Sequence, residues 1–326
     1  MKPTLIVLDD WEGLIAQNTC WDKLKEILNI QFFKEPIDRM PDNVLADAWY
    51  LMTIRERTAL TREVFVRMPA LKLILQTGGH AYHIDQTEVQ NRNILIALGR
   101  RINAPLVSVP ELTIAMMLSA VHKLSQAQQA IRTGKWPLLT GKTLNGRRLG
   151  ILGMGRHGSR VAHIAKTAFN MEVVAWKRSG VDNSPGGDYP RLHLDELLAT
   201  SDIISLHLRL SEESKGLMNK EKLQKMKPGA ILINTSRGEI VDEQALIDLL
   251  KSGHLSTAGL DVFNKEPLPV DSPLRMMDNV ILSPHIGWTV EEVFQEFSEI
   301  ACTQLNQYLL GKLPQSELLE FALNKH

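Results

Sequence analysis

The stretch LGILGMGRHG, residues 149–158, lies near the middle of a chain of 326 residues and joins an apolar run to a glycine pattern. The pattern is GxGxxG, with its glycines at Gly153, Gly155 and Gly158. Apolar residues at helical spacing follow from Val161 to Phe169, so the stretch predicts a strand, a tight turn and a helix. In that context the glycines let the backbone approach a pyrophosphate, which the free N–H groups at the start of the helix bind. The stretch therefore predicts a dinucleotide site.

Short apolar runs alternate with amphipathic segments along nearly the whole chain. Alternation of this kind indicates βαβ units and parallel sheets, and hence the α/β class. The predicted strands are Thr4–Leu8, Ala48–Met52, Leu71–Leu75, Arg148–Leu152, Glu172–Trp176, Ile203–Leu206, Ala230–Asn234, Thr257–Val262 and Val280–Leu282.

Two long segments have helical periodicity, and they divide the chain. The first extends from Ser108 to about Arg132, with Ser108 and Glu111 matching a capping box at its start. The second extends from about Val290 to Leu310. We expect each to cross between two α/β halves, so that one domain is built from both chain ends and the dinucleotide domain is inserted in it. The predicted domains are residues 1–102 with 291–326, which bind substrate, and residues 103–290, which bind the dinucleotide.

Composition excludes several classes of partner. The chain has 37 basic and 37 acidic residues, so its zero net charge gives no reason to expect nucleic acid or an anionic membrane. No uninterrupted apolar run looks long enough to span a bilayer. Cys20 and Cys302 lie at opposite ends without ligand-like spacing, which predicts two reduced thiols in a cytoplasmic protein. His80 and His83 do have the spacing of metal ligands, but no further ligands complete a metal site. No catalytic metal is therefore expected.

Three polar residues follow predicted strands: Arg237, Glu266 and His285. Ligands of parallel sheets bind beyond the carboxyl ends of the strands, so these residues should share an edge with the glycine loop. Each also has an ordinary explanation, as a surface arginine, a turn glutamate and a structural loop histidine. Together they suit hydride transfer to a 2-keto acid. Arginine can bind the substrate oxygens, histidine can exchange the proton, and glutamate can orient the imidazole and stabilise its charged form.

The chain resembles the NAD(P)-dependent D-isomer-specific 2-hydroxyacid dehydrogenases between about Leu71 and Leu310. Besides the glycine loop, the shared motifs are Leu223-x-x-Met226-Lys227-Pro228-Gly229-Ala230, Asn234-Thr235-Ser236-Arg237-Gly238, Gly259-Leu260-Asp261-Val262-Phe263 with Glu266-Pro267, and Ser283-Pro284-His285-Ile286-Gly287. The resemblance implies two doubly wound parallel-sheet domains, a flavodoxin-like substrate domain and an inserted Rossmann domain. It also implies that Arg237, Glu266 and His285 are the catalytic residues.

The resemblance further implies where ligands bind. A substrate loop would hold the substrate carboxylate with backbone N–H groups at Gly78, Gly79 and His80, acting with Arg237 and His285. His80 stands where the family usually has glycine, so its side chain and that of Tyr82 are expected to shape specificity. The cofactor contacts are expected at Gly153, Gly155, Arg156, His157, Gly158, Lys177, Arg178, Ser179, His207, Thr235, Asp261 and Gly287.

The residue after the second strand of the dinucleotide domain indicates which cofactor binds. An NAD site needs a carboxylate there, about 20 residues beyond the glycines, to accept from the ribose 2′-hydroxyl. Lys177 occupies that position and is followed by Arg178 and Ser179, which suit a 2′-phosphate. The alternative is a solvated basic turn. The sequence favours NADP over NAD.

Within the family, the chain resembles the glyoxylate and hydroxypyruvate reductases, or phosphoglycerate dehydrogenases without a regulatory domain, because only a short tail follows Gly311. The resemblance implies a homodimer formed through the cofactor domain, with a small 2-keto or 2-hydroxy acid as substrate. A different function on the same fold is an NAD(H)-sensing corepressor. Turnover of 2-keto acids would distinguish an enzyme from such a binding protein.

Overall fold

The computed structural model describes residues 2–100, 102–176 and 189–320 of the chain. The chain divides into two compact units, Met1–Ala104 with Val290–His326 and Pro105–Thr289. We call these the outer unit and the inserted unit. Each is built on one parallel sheet, so the predicted pair of doubly wound α/β domains is confirmed.

The elements alternate as the sequence pattern predicts. Strands β1 to β12, in chain order, are Thr4–Val7, Asn29–Phe32, Ala48–Ile54, Leu73–Thr77, Leu95–Leu98, Arg148–Leu152, Glu172–Trp176, Arg191–Leu192, Ile203–Leu206, Ala230–Asn234, Leu255–Leu260 and Val280–Leu282. Helices α1 to α11 are Asp22–Lys25, Asp42–Ala46, Arg62–Val66, Gln86–Asn91, Pro105–His122, Leu124–Arg132, Arg156–Phe169, Leu194–Thr200, Lys220–Gln224, Glu243–Lys251 and Glu291–Leu309.

The sheet of the outer unit has the strand order β2-β1-β3-β4-β5, and all of its pairs are parallel. The central strands β1 and β4 are wholly buried, which explains their continuous apolar sequence. The strands at the two edges, β2 and β5, were not predicted. β2 has the sequence NIQF with no buried residue, so its pattern lacks the apolar run of a central strand.

The sheet of the inserted unit has the order β12-β11-β10-β9-β6-β7-β8, and again every pair is parallel. Strand β6 pairs with β7 on one side and with β9 on the other, so the direction of winding reverses there. Ligands of open parallel sheets bind at such a reversal. The glycine loop directly follows β6 and therefore lies at this point.

The first long helical segment differs from the prediction. Lys123 has a left-handed φ of 55°, which ends α5 and separates it from α6. Helix α5 begins at Pro105, so the predicted capping box is wrong: Ser108 lies within the helix, and its Oγ donates to the carbonyl of Gly287 at 2.7 Å. Among the described residues, α5 is the one helix whose length and composition would let it cross a membrane, although Ser108, Glu111 and Thr113 interrupt its apolar sequence. Here it packs against α7, β10 and β11.

The cysteine prediction is also wrong. Cys20 and Cys302 form a disulfide within the outer unit, with their Cα atoms 6.3 Å apart. They are separated by 282 positions in sequence, and helix α11 brings them together by returning to the outer unit. Sequence spacing alone could not reveal this contact. The cytoplasmic location inferred partly from free thiols stays a prediction.

Candidate active site

The glycine loop has the shape that a bound pyrophosphate requires. Gly153 has a φ of 103°, and a Cβ atom there would lie 2.5 Å from the carbonyl oxygen of His207. A Cβ atom at Gly158 would lie 2.0 Å from the carbonyl oxygen of Gly153, so helix α7 can approach the loop only without a side chain at this position. Gly155 faces open space, with no heavy atom of the described residues within 4 Å of a Cβ position. The loop thus fits a dinucleotide phosphate, which would approach at Gly155.

The residues around the loop complete an anion-binding helix terminus. Helix α7 is described throughout, and its first turn has neither a side-chain cap nor an acidic residue. Arg156 begins the helix and is exposed. Burial and the adjacent Arg156 cation lower the pKa of His157. Burial lowers the pKa of His207 to about 3, and its Nε2 lies 2.8 Å from Ser205 Oγ. Both imidazoles are therefore neutral at pH 7, and the positive charge here comes from Arg156 and the helix dipole.

Arg237, Glu266 and His285 follow the three neighbouring strands β10, β11 and β12. The structure therefore places them along one edge of the sheet, on the same side as the glycine loop. Only His285 and Glu266 are in direct contact: His285 Nδ1 lies 2.7 Å from Glu266 Oε2. Their side chains are 34% and 36% exposed, so the pair is accessible to a ligand.

The Glu266 carboxylate is held by both of its oxygens. Oε1 accepts from the backbone N–H of Phe263 at 2.9 Å, while Oε2 is bonded to His285. Burial raises the pKa of Glu266, but these hydrogen bonds and the charges of His285 and Arg237 outweigh it, and the pKa is lowered overall. Glu266 is consequently ionised at neutral pH and stabilises a positive charge on the imidazole.

Arg237 reaches this position because two loops approach each other closely. A Cβ atom at Gly238 would lie 2.0 Å from the carbonyl carbon of Phe263, so glycine is needed where the loops meet. Asn234 Nδ2 donates to the carbonyl of Arg237 at 2.8 Å and fixes the turn. The guanidinium donates to the carbonyl of Ser236 at 2.7 Å through Nη1, which leaves its remaining N–H groups available for a ligand.

Asp261, Thr235 and Gly287 were predicted to contact the cofactor, and each makes contacts within the protein. The Asp261 carboxylate is 1% exposed and accepts from the N–H groups of Ile286 and Gly287, both at 2.9 Å, and from Ser283 Oγ. Burial raises the pKa of Asp261 although these donors oppose it. Asp261 thus fixes the loop that carries His285. Thr235 Oγ1 lies 2.9 Å from Oγ1 of the buried Thr113, a partner that the sequence did not indicate.

The predicted substrate loop belongs to the outer unit and follows β4. Gly78 has a φ of 144°, and Gly79 faces open space free of described heavy atoms within 4 Å. His80 is not isolated: its Nε2 lies 2.9 Å from Glu56 Oε1. Sequence reasoning missed Glu56, because it follows a different strand, β3.

Some predictions lie beyond what the structure describes. Lys177, Arg178 and Ser179 fall outside the described residues. Within residues 2–100, 102–176 and 189–320, no group of three or more histidine, cysteine, aspartate or glutamate side chains is placed to hold a metal ion. The absence of a catalytic metal stays a prediction.

Comparison with known proteins gives one consistent result. Residues 114–287 match the family model described as "D-isomer specific 2-hydroxyacid dehydrogenase, NAD binding domain". A hydroxypyruvate reductase of Blautia hydrogenotrophica is 34% identical, with 93% of this chain and 92% of that protein covered. A glyoxylate reductase of Thermofilum pendens is 36% identical over 81% of this chain and 82% of its own length. The crystal structure of an Aquifex aeolicus D-lactate dehydrogenase with NAD and lactic acid is 28% identical, with a TM-score of 0.77, 98% of this chain and 100% of that chain covered.

The fold and the family match are thus those of a nicotinamide-dependent oxidoreductase. The chain belongs to the D-isomer-specific 2-hydroxyacid dehydrogenase family, as its sequence motifs predicted. It is an NAD(P)-dependent enzyme that acts on 2-hydroxy or 2-keto acids. The relatives give no support to the alternative of a corepressor.

The open space at Gly155 leads to a prediction. Gly155 has a φ of −76°, so alanine fits the backbone, and its methyl group meets no described atom. In the Gly155→Ala variant we expect an unchanged thermal unfolding midpoint but a dissociation constant for the reduced dinucleotide about tenfold higher, a loss of roughly 1.4 kcal/mol, because the methyl group displaces the phosphate. Fluorescence titration measures the affinity. Arg160→Ala, at an exposed position of α7, is the matched control. Equal affinities of the two variants would contradict a phosphate site at Gly155.

Proposed function

We propose that the chain reduces a small 2-keto acid, such as glyoxylate or hydroxypyruvate, to the D-2-hydroxy acid, with Arg237, Glu266 and His285 as its catalytic residues. The carboxylate-bound imidazole of His285 carries this proposal, since it shares with Arg237 the sheet edge that bears the glycine loop. The names of relatives that are 34% and 36% identical support the choice of substrates.

The hydrogen bond of Glu266 decides which atom of His285 moves the proton. Nδ1 is engaged by the Glu266 carboxylate, so Nε2 is the nitrogen directed to the substrate. In reduction, Nε2 gives its proton to the carbonyl oxygen of the substrate, and the ionised Glu266 stabilises the imidazolium beforehand. In oxidation the same nitrogen takes the hydroxyl proton. A nicotinamide dinucleotide held at Gly153, Gly155 and Gly158 would supply the hydride for reduction at C2 of the substrate, or accept it in oxidation.

In this proposal Arg237 binds the carboxylate and carbonyl oxygens of the acid. The planar guanidinium can donate two parallel hydrogen bonds to the carboxylate and carbonyl oxygens. This polarises the carbonyl and favours hydride addition. For the outer unit, we propose that the backbone N–H groups at Gly78, Gly79 and His80 bind a carboxylate, a role that the open space at Gly79 supports.

NADP is the proposed cofactor. The proposal depends on Lys177, Arg178 and Ser179, whose sequence supplies two cations and a hydroxyl where an NAD site needs a carboxylate. The glycine loop binds either dinucleotide, because the pyrophosphate is common to both. The basic residues would bind only the 2′-phosphate that distinguishes NADP.

A homodimer is the proposed assembly, and segment 124–139 of the inserted unit is its proposed contact surface. Helix α6 lies within this segment and has no buried residue. Trp136 is 87% exposed and Leu138 is 99% exposed, and Leu124 and Ile131 are also exposed. A concentration of large apolar side chains on a soluble protein marks an association surface. A second copy of the chain is the occupant that family membership favours.

The catalytic proposal predicts distinct effects for two substitutions. His285→Ala removes the proton donor, so kcat for glyoxylate should fall about 10²–10⁴-fold while cofactor affinity changes little. Arg237→Lys retains a charge but loses the planar fork, so kcat/KM should fall about tenfold or more. Steady-state kinetics and cofactor titration measure both effects, and Arg275→Lys is the control on an exposed arginine of the same unit. Wild-type turnover by His285→Ala would rule out its role as proton donor.

The cofactor proposal predicts a selective effect. The double variant Lys177→Ala with Arg178→Ala should weaken NADPH binding by about tenfold or more, because a 2′-phosphate loses its cations. NADH affinity should change by less than about twofold, since NADH lacks that group. Parallel titrations of the two cofactors provide the measurement. An equal loss for both, or a wild-type protein that prefers NADH, would contradict the assignment.

The dimer proposal predicts a change of mass. The double variant Trp136→Ser with Leu138→Ser should dissociate to monomers at micromolar concentration, because it removes the two most exposed apolar side chains of segment 124–139. Light scattering after gel filtration measures the mass. Leu310→Ser, at a leucine 60% exposed outside the segment, should remain a dimer. A wild-type chain that is monomeric at the same concentration would refute the proposal.

A further inference from the structure

The buried side-chain amide of Gln76 connects two loops, which follow the carboxyl ends of β3 and β4. Gln76 is 2% exposed, and its Nε2 donates to the carbonyl of Arg55 at 3.2 Å and to that of His80 at 3.3 Å. Thr77 Oγ1 accepts from the backbone N–H of Arg55 at 2.8 Å. Arg55 itself has a left-handed φ of 54°. The loop that contains Glu56 and the loop that contains His80 therefore have fixed relative positions.

On these two loops, three side chains form a continuous row of contacts. His80 Nε2 lies 2.9 Å from Glu56 Oε1. The face of the His80 imidazole stacks on Tyr82, whose ring is nearly parallel to it at a centroid distance of 4.5 Å. The imidazole is thus held at its edge by a carboxylate and on its face by a phenol ring. We call Glu56, His80 and Tyr82 the loop stack.

The loop stack borders the open part of the substrate loop. Gly78 is covered, since a Cβ atom there would lie 2.9 Å from Arg55 Nη1. Gly79 is uncovered in the described structure, and His80 is the next residue. A carboxylate bound to the N–H groups of Gly79 and His80 would therefore have the loop stack directly beside it. Tyr82, 84% exposed, extends the stack outward.

We infer that the loop stack is a fixed wall which restricts the enzyme to 2-keto acids with a small substituent at C2, and that Glu56 is the positioning residue of this wall. The inference rests on the proposed function and extends it from the reaction to the size of its substrate. Glyoxylate and hydroxypyruvate fall within the limit, whereas phenylpyruvate exceeds it.

The fixed position of His80 gives the wall its effect. An unanchored histidine could rotate to another rotamer and admit a larger substrate at small cost. Here a rotation would break the contact with Glu56 and the stacking on Tyr82 together. A wall that cannot move excludes a large substrate by steric clash and needs no attractive contact with the small one. Its effect is therefore a lower kcat/KM for the large substrate.

The test compares two substrates in each variant. The measured quantity is the ratio of kcat/KM for phenylpyruvate to kcat/KM for glyoxylate, with the same reduced cofactor. His80→Ala should raise the ratio about tenfold or more, chiefly through a lower KM for phenylpyruvate. Glu56→Ala should raise it about two- to fivefold, because it removes only the anchor. Tyr82→Ala should also raise this ratio. Tyr82→Phe should keep the wild-type ratio, because the ring stack is retained.

The controls separate the possible failures. Trp49→Ala alters a partly exposed aromatic residue at the amino end of β3, where the ring contacts Lys72, and should leave the ratio unchanged. Tyr82 is too exposed for its loss to unfold the protein, so Tyr82→Ala tests the wall even where another variant fails to fold. If the His80→Ala and Tyr82→Ala variants are active and have the wild-type ratio, the inference that the loop stack limits substrate size is wrong. A wild-type chain that reduces no 2-keto acid would instead refute the proposed function.

Discussion

A buried carboxylate organises the edge of the sheet on which the chemistry depends. Asp261, at the end of β11, accepts hydrogen bonds from two backbone N–H groups and one hydroxyl of the loop that follows β12. These bonds compensate for its burial, since a buried charge without partners is strongly unfavourable. They also hold His285 at a left-handed φ of 55°, a conformation that non-glycine residues rarely adopt. Without this carboxylate the imidazole would have no fixed position relative to Glu266.

Close backbone contacts at two glycines also fix the positions of parts of the site. Gly158 allows α7 to meet the turn after β6, and Gly238 allows the Arg237 turn to meet the backbone of Phe263. Each contact joins two neighbouring elements at a distance that no side chain permits. The positions of the phosphate site and of the guanidinium thus depend on backbone packing, which explains why both can be located from short glycine-containing motifs.

Much of the fold and the site followed from the sequence because the central features leave local signals. Buried strands such as β6 and β10 are continuous apolar runs, and the glycine loop has fixed spacing. Features that depend on distant contacts left no such signal. The edge strand β2 has half-exposed polar residues, and Lys123 breaks a helix although lysine is a good helix former. Cys20 meets a partner 282 positions away.

The residues of the site also divide into those with a local sequence signal and those without one. Arg237, Glu266 and His285 could be predicted, because each directly follows a strand of one sheet and topology brings the ends of neighbouring strands together. Glu56 could not be predicted, since its contact with His80 joins two loops by side chains alone. The roles of Ser108 and Thr113 were missed for a related reason: both lie inside α5, and their partners are loop atoms far along the chain.

The bond between Cys20 and Cys302 has a consequence for the connectivity of the molecule. It closes a covalent ring that contains every residue from 20 to 302, and the whole inserted unit is part of that ring. A single peptide-bond cleavage anywhere inside the ring, whether by a protease or by chemical damage, would therefore leave the molecule in one covalent piece. Two breaks, or one break together with reduction, are needed before any fragment from within the ring can be released.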